Sequence, residues 1–220
     1  MKRIKIMKFL HGTKSYLAYD DKDDDPFYIC LSIAKEACRF TEKIFWVTPR
    51  YSAYIEHIKS FSLRNRIIFV DCDDIYDYPG FVNLPSKNQF VIFEEAWRFV
   101  PEDLPLQLRT SLFEGENSVS FVGGIKFFGL SRPLVERCDQ VLALQHSPGN
   151  IHFLDILSWH IMVCKPDIVA LENFRDAKSI SKFFEYAMDE CDFCSGPYRY
   201  SVYLKRERRF SRNIVDLRVY

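Results

Sequence analysis

A chain of 220 residues is long enough to bury one real core and too short for two full domains. A hydrophobic fraction of 48%, with 20 Phe and 12 Tyr, excludes a disordered polymer. Thirty Lys and Arg balance 30 Asp and Glu, which excludes a protein held to nucleic acid or an anionic membrane by its global field; such binding needs a local patch. The start MKRIKIMKFL is basic, but Lys5 and Lys8 interrupt its apolar stretch and no small-residue cleavage site follows, so no signal peptide is expected. No apolar run approaches the length of a membrane span. The seven cysteines are odd in number and mostly sit in apolar segments, as reduced thiols in a cytosol would.

In chain order, Ile4 to Leu10 predicts a short strand, ending at the turn-like Gly12-Thr13-Lys14-Ser15, whose residue types suit a phosphate site. The run Asp20-Asp21-Lys22-Asp23-Asp24-Asp25 reads as a solvated loop, and Asp25-Pro26 as the opening of a helix over Phe27 to Phe40. Lys43 to Pro49 predicts a strand and Ala53 to Phe61 a helix. Arg66 to Asp71 and Asn88 to Glu95 are near-continuous apolar runs closing on acids, as strands buried on both faces do. Ile125 to Ser131 and Gln140 to Gln145 predict two more strands, with a short helix between them from Pro133 to Arg137. The alternation from residue 4 to 145 predicts an α/β core with a largely parallel, doubly wound sheet over residues 1–150. Residues 151–220 read as a small appendage, helical over Phe153 to Trp159 and Ser179 to Met188, alternating over Tyr198 to Leu204, and ending in the basic run Lys205 to Arg209.

The sharpest chemical signal is Phe90-Val91-Ile92-Phe93-Glu94-Glu95. Four apolar residues closing on two carboxylates have the form of a Walker B strand, where the first acid helps to hold Mg²⁺ and the second orients water for attack on a γ-phosphate. Downstream, Phe127-Phe128-Gly129-Leu130-Ser131-Arg132-Pro133 and Cys138-Asp139-Gln140-Val141 complete an order of parts that resembles the FtsK/HerA class of P-loop ATPases, with viral genome-packaging and zonula-occludens-toxin-like proteins among its kin. The resemblance implies a P-loop NTPase-like sheet with an additional strand. It implies ATP and Mg²⁺ as cofactors, Glu94 and Glu95 as metal-binding and catalytic acids, and Ser131 with Arg132 at the γ-phosphate. Ser131 stands where that class commonly has glutamine.

A full Walker A loop needs two glycines spaced by four residues before Lys-Ser or Lys-Thr, so that successive N–H groups face the phosphates. Gly12-Thr13-Lys14-Ser15 lacks the earlier glycine and the one directly before lysine. As a degenerate remnant it would leave Lys14 for phosphate and Ser15 with Glu94 for the metal, with hydrolysis weakened or lost. The expected function is therefore that of a nucleic-acid-associated P-loop ATPase relative in DNA translocation, packaging or virus and phage assembly. It would act in the cytoplasm, the host's if viral, as a homo-oligomer or with an assembly partner, and would touch nucleic acid through a basic patch such as Lys205 to Arg209.

Two further constellations compete. Asp167 after Pro166, with Asp176 and Lys178, satisfies the loose PD-(D/E)xK pattern of Mg²⁺-dependent nucleases. Cys191 and Cys194 have the spacing of a zinc half-site that His160 and Cys164 could complete. A non-enzymatic interaction protein on an ATPase-like scaffold is the remaining alternative.

Overall fold

The computed structural model describes residues 4–5, 7–20, 25–58, 65–145, 153–172, 186–195 and 198–205. The strands are β1 (Ile4–Lys5), β2 (Lys14–Tyr19), β3 (Ile44–Thr48), β4 (Ile67–Asp71), β5 (Lys87–Glu94), β6 (Glu116–Gly124), β7 (Gln140–Gln145), β8 (Ile168–Glu172), β9 (Tyr186–Ser195) and β10 (Tyr198–Lys205). The α-helices are α1 (Met7–Leu10), α2 (Pro26–Ala37), α3 (Tyr51–Ile58), α4 (Pro79–Val82), α5 (Leu106–Arg109), α6 (Arg132–Val135) and α7 (Phe153–Cys164).

All ten strands lie in one sheet, in the order β1-β9-β10-β8-β7-β2-β6-β5-β3-β4. From β8 to β4 every neighbouring pair is parallel, and β10 alone runs antiparallel to both its neighbours. The protein is thus α/β with a largely parallel, doubly wound sheet. Strands β8 to β10, from residues 151–220, continue the sheet of the preceding segment.

Two apolar layers flank the sheet, because side chains alternate across a strand and both faces are covered. One layer packs α2 and Tyr54 of α3 on Leu17, Trp46, Ile92 and Val122. The other packs Phe81, Leu108 and Leu134 on Tyr16, Phe93 and Phe121. Strand β3 is buried at all five positions, which accounts for its unbroken IFWVT sequence. In α2, Asp25 caps the first turn by accepting from the Phe27 N–H at 2.9 Å, Pro26 supplies a preset φ, and Ile29, Cys30, Ile33, Ala34 and Ala37 face the sheet.

Three expectations are corrected. Of the strand expected over Ile4 to Leu10, only Ile4–Lys5 is strand (β1), Met7–Leu10 form helix α1, and Lys14 and Ser15 of the expected turn open β2. Ile125 to Ser131 is no strand: a 3-10 turn covers Ile125–Phe127, and the strand of this region is the earlier β6. Tyr186 to Met188, expected as the end of a helix, open β9. The rest of that expected helix, 179–185, lies outside the described residues.

Candidate functional site at the carboxyl edge of the sheet

In a parallel sheet, the loops after the strands meet at one edge, and where the strand order reverses they leave a crevice for a ligand. The reversal here falls at β2, whose next strand in the chain, β3, lies beyond β6 and β5, while β7 lies on its other side. In the sequence, Asp20 to Asp25 join β2 to α2, and of these Asp20 and Asp25 are among the described residues.

Glu94 ends β5, a strand flanked on both sides by β6 and β3. Its side chain does not open to the crevice. It is fully buried, with Oε1 accepting from the Tyr54 hydroxyl at 2.7 Å and Oε2 from Trp46 Nε1 at 3.2 Å. Burial pushes its carboxyl above the ordinary glutamate value, against hydrogen bonds from Tyr54, Thr48 and Trp46 and the charge of Arg50, which pull it down. Burial also raises the Tyr54 phenol, reinforced by the Glu94 charge.

Glu95 leaves the strand in left-handed backbone, φ 50° and ψ 50°, a conformation that costs a non-glycine residue about 1 kcal/mol or more. That turn sets its carboxylate between Arg98 (Nε to Oε2, 2.6 Å) and Arg50 (NH2 to Oε1, 3.3 Å). Glu95→Gly should therefore be more stable than Glu95→Ala by about 1 kcal/mol in chemical denaturation, since both lose the arginines and only glycine relieves the backbone. Equal stabilities would refute strain at this position.

The other expected site residues are dispersed. Ser15 is level with Ile92 through Ser120 of β6, and Lys14 is level with Val91, three positions before Glu94 and about 10 Å back along the strand direction. Gly12 N–H donates to Ser118 Oγ, and Thr13 Oγ1 donates to Phe9 O. Lys14 Nζ donates to Gly115 O at 2.9 Å. Ser15 is buried, and its Oγ hydrogen-bonds Thr13 Oγ1 at 2.9 Å and accepts from Gln140 Nε2 at 2.8 Å. This set belongs to the amino end of β2 and does not converge with Glu94 or Glu95. Ser131 is buried on the other face of the sheet from Glu94, accepting from the Tyr16 hydroxyl at 2.7 Å. Arg132 is exposed and paired with Glu136.

The crevice encloses about 400 Å³. Tyr19 and Asp25 bound it at the two ends of the acidic loop, and Arg50 and Glu95 line it from the turns after β3 and β5. Its last wall is Trp97 and Phe127, stacked with centroids 4.7 Å apart, with Lys126 5.0 Å over the Phe127 ring and Arg98 4.9 Å over the Trp97 ring. Sequence reasoning missed this pair, because Phe127 was expected within a strand and nothing in the sequence ties it to Trp97, 30 residues before it. A neighbouring crevice of about 310 Å³ adjoins Cys72, Asp73 and Arg98. Asp71, Cys72 and Asp73 bring three ligand atoms within 4.8 Å there, but burial pushes the Cys72 thiol up to about 12, and it donates to Asp73.

Of the competing constellations, Asp167 ties strands together: its Oδ2 accepts from Val141 N at 2.9 Å and its carbonyl from Lys205 N at 2.9 Å. Asp176 and Lys178 lie outside the described residues. His160 and Cys164 are buried in α7, where burial pushes the Cys164 thiol up to about 12, and Cys191 and Cys194 fall within β9. Among the described residues no helix is long and apolar enough to cross a membrane.

No protein family matches the sequence, and no curated protein matches it. Among solved structures, the chain is similar to the flagellar accessory protein FlaH from Methanocaldococcus jannaschii, at 11% identity over 80% of each chain, with a TM-score of 0.38.

Proposed function

We propose that this protein is a P-loop ATPase-like scaffold that no longer hydrolyses nucleotide and serves as an assembly subunit of a nucleic-acid-handling complex. The single observation that carries this reading is the sequence that joins β2 to α2. A phosphate loop joins a strand to the helix after it, and its anion rests on that helix's N-terminal N–H groups. Here the connection from β2 to α2 is Asp20 to Asp25, five carboxylates and no glycine, and the Asp25 side chain itself takes the Phe27 N–H. A triphosphate would face like charge at the place where it needs donors.

Other observations agree. Glu94 has both oxygens engaged by Tyr54 and Trp46 and no exposed surface to offer a metal ion. Glu95 is held by two arginines. Strand β6 lies between β2 and β5, an order that is consistent with a sheet of the additional-strand kind. Contact with nucleic acid would then fall to the basic run from Lys205, and self-association to surfaces away from the nucleotide position.

The test is calorimetric titration with Mg-ATP, together with hydrolysis assays with and without DNA. Neither saturable binding at millimolar nucleotide nor turnover is expected, and Glu95→Gln should change nothing. Turnover that Glu95→Gln abolishes would overturn the reading. Its oligomeric state in solution should likewise be indifferent to nucleotide.

A further inference from the structure

Without a triphosphate as its ligand, the crevice of about 400 Å³ still has the size of a small-molecule site. Its lining charges cancel, Arg50 and Lys126 against Asp25 and Glu95, and Glu95 already carries Arg50. A polyanion entering would meet Asp25 and Glu95, and a bare cation would meet Arg50 and Lys126. What remains favoured is a ligand of no net charge with a flat apolar body, because three of the walls are the aromatic rings of Tyr19, Trp97 and Phe127.

We propose that this crevice binds a nucleobase, presented either by a free nucleoside or by an unpaired base of single-stranded nucleic acid. The heterocycle packs against the Trp97–Phe127 wall, where base–aromatic contact is tolerant of sequence. Arg50 and Lys126 supply N–H donors for carbonyl and ring-nitrogen acceptors. The Asp25 carboxylate has acceptor capacity beyond its one bond to Phe27 N, which suits an exocyclic amine or a sugar hydroxyl. The left-handed turn at Glu95 orients Arg50 at the rim without itself contacting the base. This inference rests on the loss of triphosphate binding proposed above.

The experiment is a tryptophan-fluorescence and calorimetric titration of the full chain with adenosine, guanosine, cytidine and uridine, beside ATP and a single-stranded oligodeoxynucleotide. A saturable signal with at least one nucleoside or with the single strand is expected, and ATP should bind at least about tenfold more weakly than adenosine. Tighter binding of the single strand assigns the base to nucleic acid, and equal or weaker binding to a free nucleoside. Trp97→Ala should abolish the signal. Phe127→Leu, which keeps an apolar side chain at the wall and should keep the native fold by circular dichroism, should weaken calorimetric affinity about tenfold or more. Silence of every nucleoside and of the single strand, with ATP also silent, would overturn the nucleobase site alone, as would affinities unchanged by Phe127→Leu. ATP binding tighter than adenosine would instead overturn the loss of triphosphate binding.

Discussion

Gly115→Ala is expected to destabilise the protein by about 3 kcal/mol or more, because the added methyl has no direction in which to relax. An ideal Cβ there would lie 2.3 Å from Ser86 O and 2.6 Å from Ser111 O, both backbone atoms. The same turn carries the bond from Glu116 N to Ser86 O at 2.6 Å and that from Gly115 N to Thr110 O at 3.0 Å. A shift of Ser86 displaces the entry to β5, and a shift of Glu116 displaces β6, so the two strands beside the carboxyl-edge crevice would move together. Gly129→Ala is the control, with nothing within 4 Å of its Cβ, and should fall within about 0.5 kcal/mol of the parent. Urea denaturation of the two variants decides the matter, and equal midpoints would contradict the close approach.

Glu94 should behave as a buried structural carboxyl, and two substitutions separate that from a metal ligand. Glu94→Ala leaves the Tyr54 hydroxyl and Trp46 Nε1–H without their acceptor, at an expected loss of about 2–4 kcal/mol. Glu94→Gln keeps a carbonyl for Tyr54 and carries no charge to desolvate, but its amide nitrogen faces Trp46 Nε1–H, so it should cost about 1 kcal/mol, less than Glu94→Ala. The pH dependence has a definite sign. The folded carboxyl titrates above its unfolded value, so the folded state binds the extra proton. Its contribution is fully present below the ordinary glutamate range and is lost as pH rises through the raised folded value. Glu94→Gln should therefore gain on the parent as pH rises across that window, measured by denaturation at a series of pH values. A parent stabilised by Mg²⁺, with Glu94→Gln unresponsive to it, would restore a metal role.

The strands that could be read in the sequence were those whose apolar runs are longest. IFWVT, IIFVD and the FVIFE end of β5 stand between helices on both faces, so they carry bulky apolar residues at successive positions and stop at a proline or an acid. Strand β6 is equally central, yet its sequence ENSVSFVGG is small and polar on one face and carries no long apolar run to predict a strand. The reason is packing: Gly123 lies against the Tyr16 hydroxyl, where a Cβ would come within 2.3 Å, and Ser118 is occupied by the Gly12 N–H. Strand β2 was hidden differently. Lys14-Ser15 has the chemistry of a phosphate loop, which drew the reading to a turn and placed the strand ten residues too early. Once β2 is set at Lys14–Tyr19, the loop that matters becomes the aspartate run, and the expected site changes character. The carboxylates of β5 were legible because a strand end is a local feature. The Trp97–Phe127 stack was not, since it joins turns from two different strands.

The position of β2 also bears on how the chain is made. Tyr16 and Leu17 leave the ribosome about 100 residues or more before their sheet partners, which are Phe121 and Val122 on one side and Val141 and Leu142 on the other. At about 5–20 residues per second, this strand waits several seconds with both hydrogen-bonding edges unpaired. Until β6 emerges, β2 has neither of the two strands that flank it in the sheet. A dependence on holding chaperones during synthesis, and a yield that improves when translation is slowed or temperature lowered, follow from placing an early strand at the centre of a sheet completed by late ones.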